Sequence, residues 1–349
     1  MASIPIDLCA IPAIESPDGK YNLENPTTLA PMTLSVGVIL ATISVILTLT
    51  RTYMNRRKLG SADYCALAAC VINVAFTGDI LAQIKYNRHL WDIPACWITG
   101  TYLKILYVQT TLFAPVFFTS KASIFLLYRQ IFGVERHIRI AVNLGLIFSL
   151  LLYLPNIPLS AVLDAPPIGT TWDSFTTSTQ SRKMIPWGIV QSSISILLDL
   201  YIFFLPLPVI VKLNMPFRRR LQVFGIFTTA LMGIIASVLS LVYRVRLLHT
   251  MDATWWSTVV AVCALVETNV AIIVSCMPAL AQLLKLHFGA STFFKSLRSR
   301  LLGLTGGSDK SPSADGSTED RPKLATFGAA QSPRRRNYYE LTDTALLNT

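Results

Sequence analysis

The chain has 349 residues, of which 52% are hydrophobic and 14% charged, with a mean hydropathy of +0.52. That balance excludes an ordinary water-soluble protein, which keeps about a quarter of its residues charged for its surface. The net charge of +11 is concentrated around apolar stretches, which points to membrane topology and away from nucleic acid as a partner.

Residues 1–30 are expected to form an outer N-terminal tail. They lack a basic start, and Asp7, Pro12, Glu15 and Pro17 interrupt any apolar core, so they do not read as a signal peptide. Asn25 is followed by Pro26, which removes the one near-match to a glycosylation sequon. Seven apolar stretches then fill residues 31–285: 31–50, 62–82, 103–128, 138–162, 184–211, 222–243 and 255–284. Each approaches or exceeds the ~20 residues that cross ~30 Å of hydrocarbon as a helix. The predicted fold is an all-α seven-transmembrane helix bundle, with the lipid bilayer as its first partner.

Within that domain, the first helix is expected to end at Arg51, and its short loop closes at Gly60 before Asp63 opens the second. Pro115, Pro155, Pro158, Pro206 and Pro278 fall inside or near the ends of membrane helices and mark kinks, which bundles tolerate because neighbours satisfy the freed carbonyls. The sixth stretch carries Gly225, Thr229, Gly233 and Ser237, a small residue every fourth position, read as a packing stripe for a close neighbouring helix. Residues 286–302 are expected to lie as a cationic amphipathic segment in the membrane interface, with Phe293, Phe294, Leu297 and Leu301 opposite Lys295 and Arg298. Residues 303–349 have the composition of a disordered tail, and a cytosolic partner would bind there.

Assigning Lys and Arg to alternating loops, counted as far as Arg300, places 15 on one side and 7 on the other. The positive-inside rule then predicts an N-terminus outside or in the lumen and a C-terminus in the cytosol. It does not choose between the plasma membrane and an endomembrane.

Four ionisable residues lie deep in the stretches: Asp79, Lys121, Asp199 and Glu267. A charge at the bilayer centre costs about 2.5–3.5 kcal/mol or more, so such groups face the bundle interior and find partners. Lys121 stands 8 residues before Arg129 and Asp199 stands 13 before Lys212, depths of roughly 12 and 20 Å. One network of Lys121 with Asp199 or Glu267 is therefore expected. Gln191 and Ser195 share a face with Asp199, Asn73 sits on one face with Cys70 and Thr77, and Asn269 stands beside Glu267. Together they could wall a polar cavity, or simply surround a structural ion pair. Glu267 and Asp199 are the candidate acids if the site is catalytic.

On the outer side, His89, Trp91 and Asp92 form a loop motif that, with His249 and Asp252, has acid–base or metal-capable chemistry. Nothing in the spacing demands it, and no metal site is expected. Cys9 and Cys96 are the pair on the oxidising side, though spacing alone leaves open whether they bond. Cys65, Cys70, Cys263 and Cys276 read as small buried hydrophobes. No HExxH, GxSxG, GxGxxG or P-loop pattern occurs.

Five segments in order carry a family resemblance: Arg51 with LGSADY (59–64), RHLWDIP (88–94), KASIFLLYRQIF (121–132), DLYIFFLPLPVIVKLNMPFRRRLQVFGIF (199–227) and VETNVAIIVSCMPAL (266–280). With these the chain resembles the fungal rhodopsin-like domain family of integral membrane proteins, which includes a satratoxin-cluster membrane protein. Lys121, Asp199 and Glu267 fall on the family motifs. Two departures stand out: Tyr86-Asn87 replaces a Gly-rich stretch, and the loop at 163–183 keeps Trp172 but has no cysteine. A retinal photoreceptor needs a lysine in the middle of the seventh helix, and residues 255–284 contain none, so no cofactor is expected.

The resemblance implies a receptor for outside signals or a membrane protein accompanying secondary-metabolite biosynthesis. Three functions follow as alternatives: a receptor or sensor of a small lipophilic molecule, a membrane-embedded enzyme acting on a lipophilic intermediate, and a transporter or accessory scaffold. The orientation has a direct check. An epitope tag after Thr349 should be reachable only in permeabilised cells, and a tag before Ser3 without permeabilisation; equal access at both ends would rule out an odd number of crossings.

Overall fold

A computed structural model describes residues 7–288 apart from 134, 177–179 and 209–216. These residues belong to one compact unit, Met1–Phe294. The expected interfacial segment and tail lie outside the described residues, except that the last helix runs on to Phe288.

Seven helices are long and apolar enough to cross a membrane. The first three are Ala30–Asn55, Ser61–Ala82 and Gly100–Phe132. The fourth comes in two consecutive pieces, Arg136–Tyr153 and Asn156–Leu163. Met184–Phe204, Phe217–His249 and Ala253–Phe288 complete the set. Among the described residues the remaining regular structure is short helical turns and two isolated backbone bridges, Pro12 with Pro94 and Thr28 with Arg88.

Several helices outrun the apolar stretches that predicted them. An apolar run marks the part that crosses hydrocarbon, whereas backbone hydrogen bonding continues into the interface wherever the residues permit. The sixth helix extends to His249 and so carries Arg244 and Arg246, which loop counting assigns to a connection. The first helix continues past Arg51 to Asn55, and Arg51 is a buried helical residue, not a loop charge. The break in the fourth helix falls at Leu154-Pro155, where proline cannot donate to the helical ladder.

The seventh helix is the centre of the bundle and packs against the first, second, third and sixth. Its apolar face joins the third helix in one core around Phe117, Phe125, Leu265 and Val274, with Val142, Tyr153 and Leu198 from the fourth and fifth. Gly145 on the fourth helix admits this packing, since a Cβ there would collide with the ring of Phe125. The outward faces of the first, second and fourth helices expose Ile39, Ile46, Val71, Leu144 and Leu151, while Ser44, Thr48, Asn73 and Ser149 are buried. That arrangement of polar inside and apolar outside suits a lipid surround, where no water satisfies an outward polar group.

At the end of the bundle opposite the N-terminus, Arg51 Nε donates to Asp63 Oδ1 at 2.8 Å, with both side chains at 3% exposure or less. Asp63 also accepts from Asn55 Nδ2 at 2.9 Å and from the Gly60 amide at 3.0 Å, closing the first turn of the second helix. A second arm of Arg51 donates to the carbonyl of Ser275, close to Pro278, where proline loosens the helical ladder. One guanidinium thus joins three helices. Arg51→Ala should destabilise the folded protein by about 3–5 kcal/mol, because it strands Asp63 in a buried site. Arg51→Met combined with Asp63→Asn should recover part of the loss, as read by thermal unfolding in detergent.

Candidate functional site

Lys121 lies past the middle of the third helix, 2% exposed, on the side facing the fifth and seventh helices. Its ammonium donates to Asp199 Oδ1 on the fifth helix and, at 3.0 Å, to Glu267 Oε1 on the seventh. Ser237 of the sixth helix donates to Asp199 Oδ2 at 2.8 Å and also reaches the carbonyl of Gly233. Four helices meet at this one charged cluster. The small-residue stripe of the sixth helix therefore does more than pack: Ser237 is a polar member of the site, while Gly233 lies against Val270 of the seventh helix.

The remaining polar residues do not form a single wall. Asn73 and Asn269 make a second cluster, in which Asn269 Oδ1 accepts from Ser44 Oγ at 2.7 Å and from Asn73 Nδ2 at 2.9 Å. Thr268 closes it by donating to Asn73 Oδ1 at 2.9 Å. The separation follows from helix geometry: residues two apart point ~200° from each other, so Glu267 faces the third and fifth helices while Asn269 faces the first and second. Gln191 donates to the Leu152 carbonyl at 3.3 Å, and Ser195 pairs with the Tyr153 hydroxyl at 2.8 Å. Asp79 is half-buried and apart from both clusters, with Gln83 as its partner.

Two small cavities touch the charged cluster, and Glu267 borders both. One is lined by Gln191, Ser192, Ser240 and Arg244 with the rings of Phe113 and Tyr153. The other is mostly apolar, between Lys121, Tyr128, Ala230, Ile234 and Val270. The space open to the centre of a water molecule is about 10 Å³ in the first and about 40 Å³ in the second. Each accepts one or a few water-sized groups as it stands.

At the N-terminal end of the bundle, His89 is stacked between Trp91 and Trp255, with ring centroids 4.7 and 4.0 Å away. Its Nδ1 lies 2.6 Å from Asp252 Oδ2, and Asp252 also accepts the Leu90 amide at 3.0 Å. Asp92 turns away from this group and accepts the Asn22 amide at 2.9 Å. His249 does not join it. No group of three metal-capable side chains occurs among the described residues. The N-terminal segment is drawn over this end by backbone bonds from Ala13 to Ile93 and from Ala95 to Ile11, and by a Cys9–Cys96 disulfide.

A sequence profile described as the fungal rhodopsin domain matches residues 46–286. The chain belongs to the fungal rhodopsin domain family. It is a multi-pass membrane protein. It is also 32% identical over 250 residues to a SAT4 family membrane protein of Emericella nidulans, a match covering 71% of this chain and 60% of that relative. The matched residues hold the whole charged cluster and Asn73, Thr268 and Asn269 of the second cluster, with Ser44 just before them.

The word rhodopsin implies retinal, but these residues do not fit it. The seventh helix offers no lysine between 255 and 284, and the Lys121 nitrogen is already bonded to two carboxylates. The sequence assigns Ser237 to packing, as one member of a small-residue stripe, and Arg244 to a loop, because it sits where the apolar run has ended.

Lys121→Ala should lower the thermal stability of this fungal rhodopsin domain protein, because it leaves two carboxylates without their cation. Asp199→Asn or Glu267→Gln should partly rescue it, with coupling energies of about 1–3 kcal/mol in a double-mutant cycle. Strict additivity would show that the three groups act independently.

Proposed function

We propose that this protein is a receptor-like membrane sensor of a small molecule, with the buried charge cluster as its responsive element. The observation that carries the reading is the tie of Lys121 to both Asp199 and Glu267, with Ser237 completing it. Helices far apart in sequence share one electrostatic centre in a low-dielectric interior, where interactions are strong and rearrangements are discrete. A ligand group that competes for any one partner changes the relative stability of two helix arrangements, and that differential affinity is what a sensor needs.

Both carboxylates are engaged by an ammonium or a hydroxyl. A membrane-embedded enzyme is the second reading, and one observation favours it: Glu267 borders both cavities. The two readings separate in the native host. Deleting the gene, or introducing Lys121→Met at the chromosomal locus, should change transcript levels without accumulation of a precursor. One compound piling up while its product vanishes would overturn the sensor reading in favour of the enzyme.

A further inference from the structure

Among the described residues Arg244 has no hydrogen-bonded or ion-paired acceptor, and the nearest acidic influence on it is the charge of Glu267. Arg244 sits on the sixth helix with its guanidinium 5.3 Å from the ring of Phe113. Its Nε is buried and has no hydrogen-bond partner among the described residues, and none of the ion pairs among those residues includes it. Glu267, the carboxylate that shares its cavity, is bonded to Lys121. A guanidinium held in a membrane bundle normally pairs with an acidic group or with backbone carbonyls, because its charge costs several kcal/mol there. Its planar fork is suited to two parallel bonds with a carboxylate.

The surroundings are built to hold the guanidinium in place and leave one side of it open. Gly188 on the fifth helix makes room for it: a Cβ there would stand 2.7 Å from Nη1. The cavity beside it presents Gln191, Ser192 and Ser240 as neutral hydrogen-bonding groups, and Phe113 and Tyr153 as an aromatic wall. Hydroxyls and an amide can donate to an anion without competing for the guanidinium as another carboxylate would. As it stands the open space admits one water-sized polar group beside the guanidinium, so an acid enters by displacing the side chains of the aromatic wall, Phe113 and Tyr153, which then line its apolar body.

We propose that Arg244 and this cavity form the recognition site for the carboxylate of a small apolar acid. The inference deepens the sensor reading and rests on it for its consequence: a carboxylate bound at Arg244 enters beside Glu267 and weakens the hold of Glu267 on the Lys121 cluster by like-charge repulsion. Binding itself stands apart from signalling and is measurable on its own.

The experiment uses the full chain in phosphatidylcholine nanodiscs, with thermal unfolding read at neutral pH. Benzoate and octanoate are the probes, benzamide and octanamide the uncharged controls, and acetate and chloride the bare anions. An acid should raise the unfolding temperature saturably while its amide and the bare anions do not. Arg244→Gln should weaken the apparent affinity on the order of tenfold or more. Gly188→Ala keeps the charge but displaces the guanidinium, and should weaken binding as well, so the site remains testable even where Arg244→Gln does not fold.

Equal shifts from acid and amide, or unchanged binding in both variants, would overturn the proposal. A full shift from acetate or chloride would replace the apolar acid with an adventitious ion only, and no shift from either acid would also sink it. Acid binding that depends on Arg244, alongside a precursor accumulating in the deletion strain, would keep the site and remove the sensor reading. An intact sensor profile with no acid binding would do the reverse.

Discussion

The ammonium of Lys121 is 2% exposed and lies inside the bundle between carboxylates of the fifth and seventh helices. A charge in that setting must be matched, and the match here is made by two carboxylates from two other helices. Pairing of this kind contributes less to net stability than its short contacts suggest, because all three groups are desolvated together. What it does enforce is registry. A slip of one residue along the fifth or seventh helix rotates its carboxylate by ~100° and removes it from reach.

Around that centre, the bundle is arranged so that polar groups find each other without water. The Ser44–Asn73–Thr268–Asn269 cluster ties the first, second and seventh helices at the back of the charged site. The Arg51–Asp63 pair does the same at one end. At the other end, His89 between two tryptophans fastens the loop after the second helix to the start of the seventh. The seventh helix takes part in every one of these contacts, which explains why its faces are both apolar and polar and why it is the most buried of the membrane helices. Motion of this helix relative to the first and second is resisted at each end, and the charged cluster between those ends ties it to the third and fifth.

The same economy clarifies Arg244. Lys121, Asp63 and Asp199 each have partners within hydrogen-bond distance, whereas Arg244 has an aromatic ring, a glycine notch and an open cavity. Its Nε has no hydrogen-bond partner among the described residues, and Glu267 acts on it only through space. Lys121 is tied to two other helices, whereas Arg244 borders a cavity that also reaches Glu267.

Seven apolar stretches determined the seven membrane helices, because crossing hydrocarbon demands a continuous apolar run whatever the partners are. The high cost of charge in that run likewise made Lys121, Asp199 and Glu267 legible as interior residues. Only the tertiary structure decided how they divide. Asn269 looks like a neighbour of Glu267 in the chain, but ~200° of helix rotation puts it in a different cluster with Asn73. Arg51 and Arg244 look like loop charges because hydropathy reports where lipid begins, not where a helix ends. Whether a cation flanking an apolar run faces water or folds back against the bundle depends on an acidic partner, as with Asp63, or on a notch, as at Gly188, and both come from other helices.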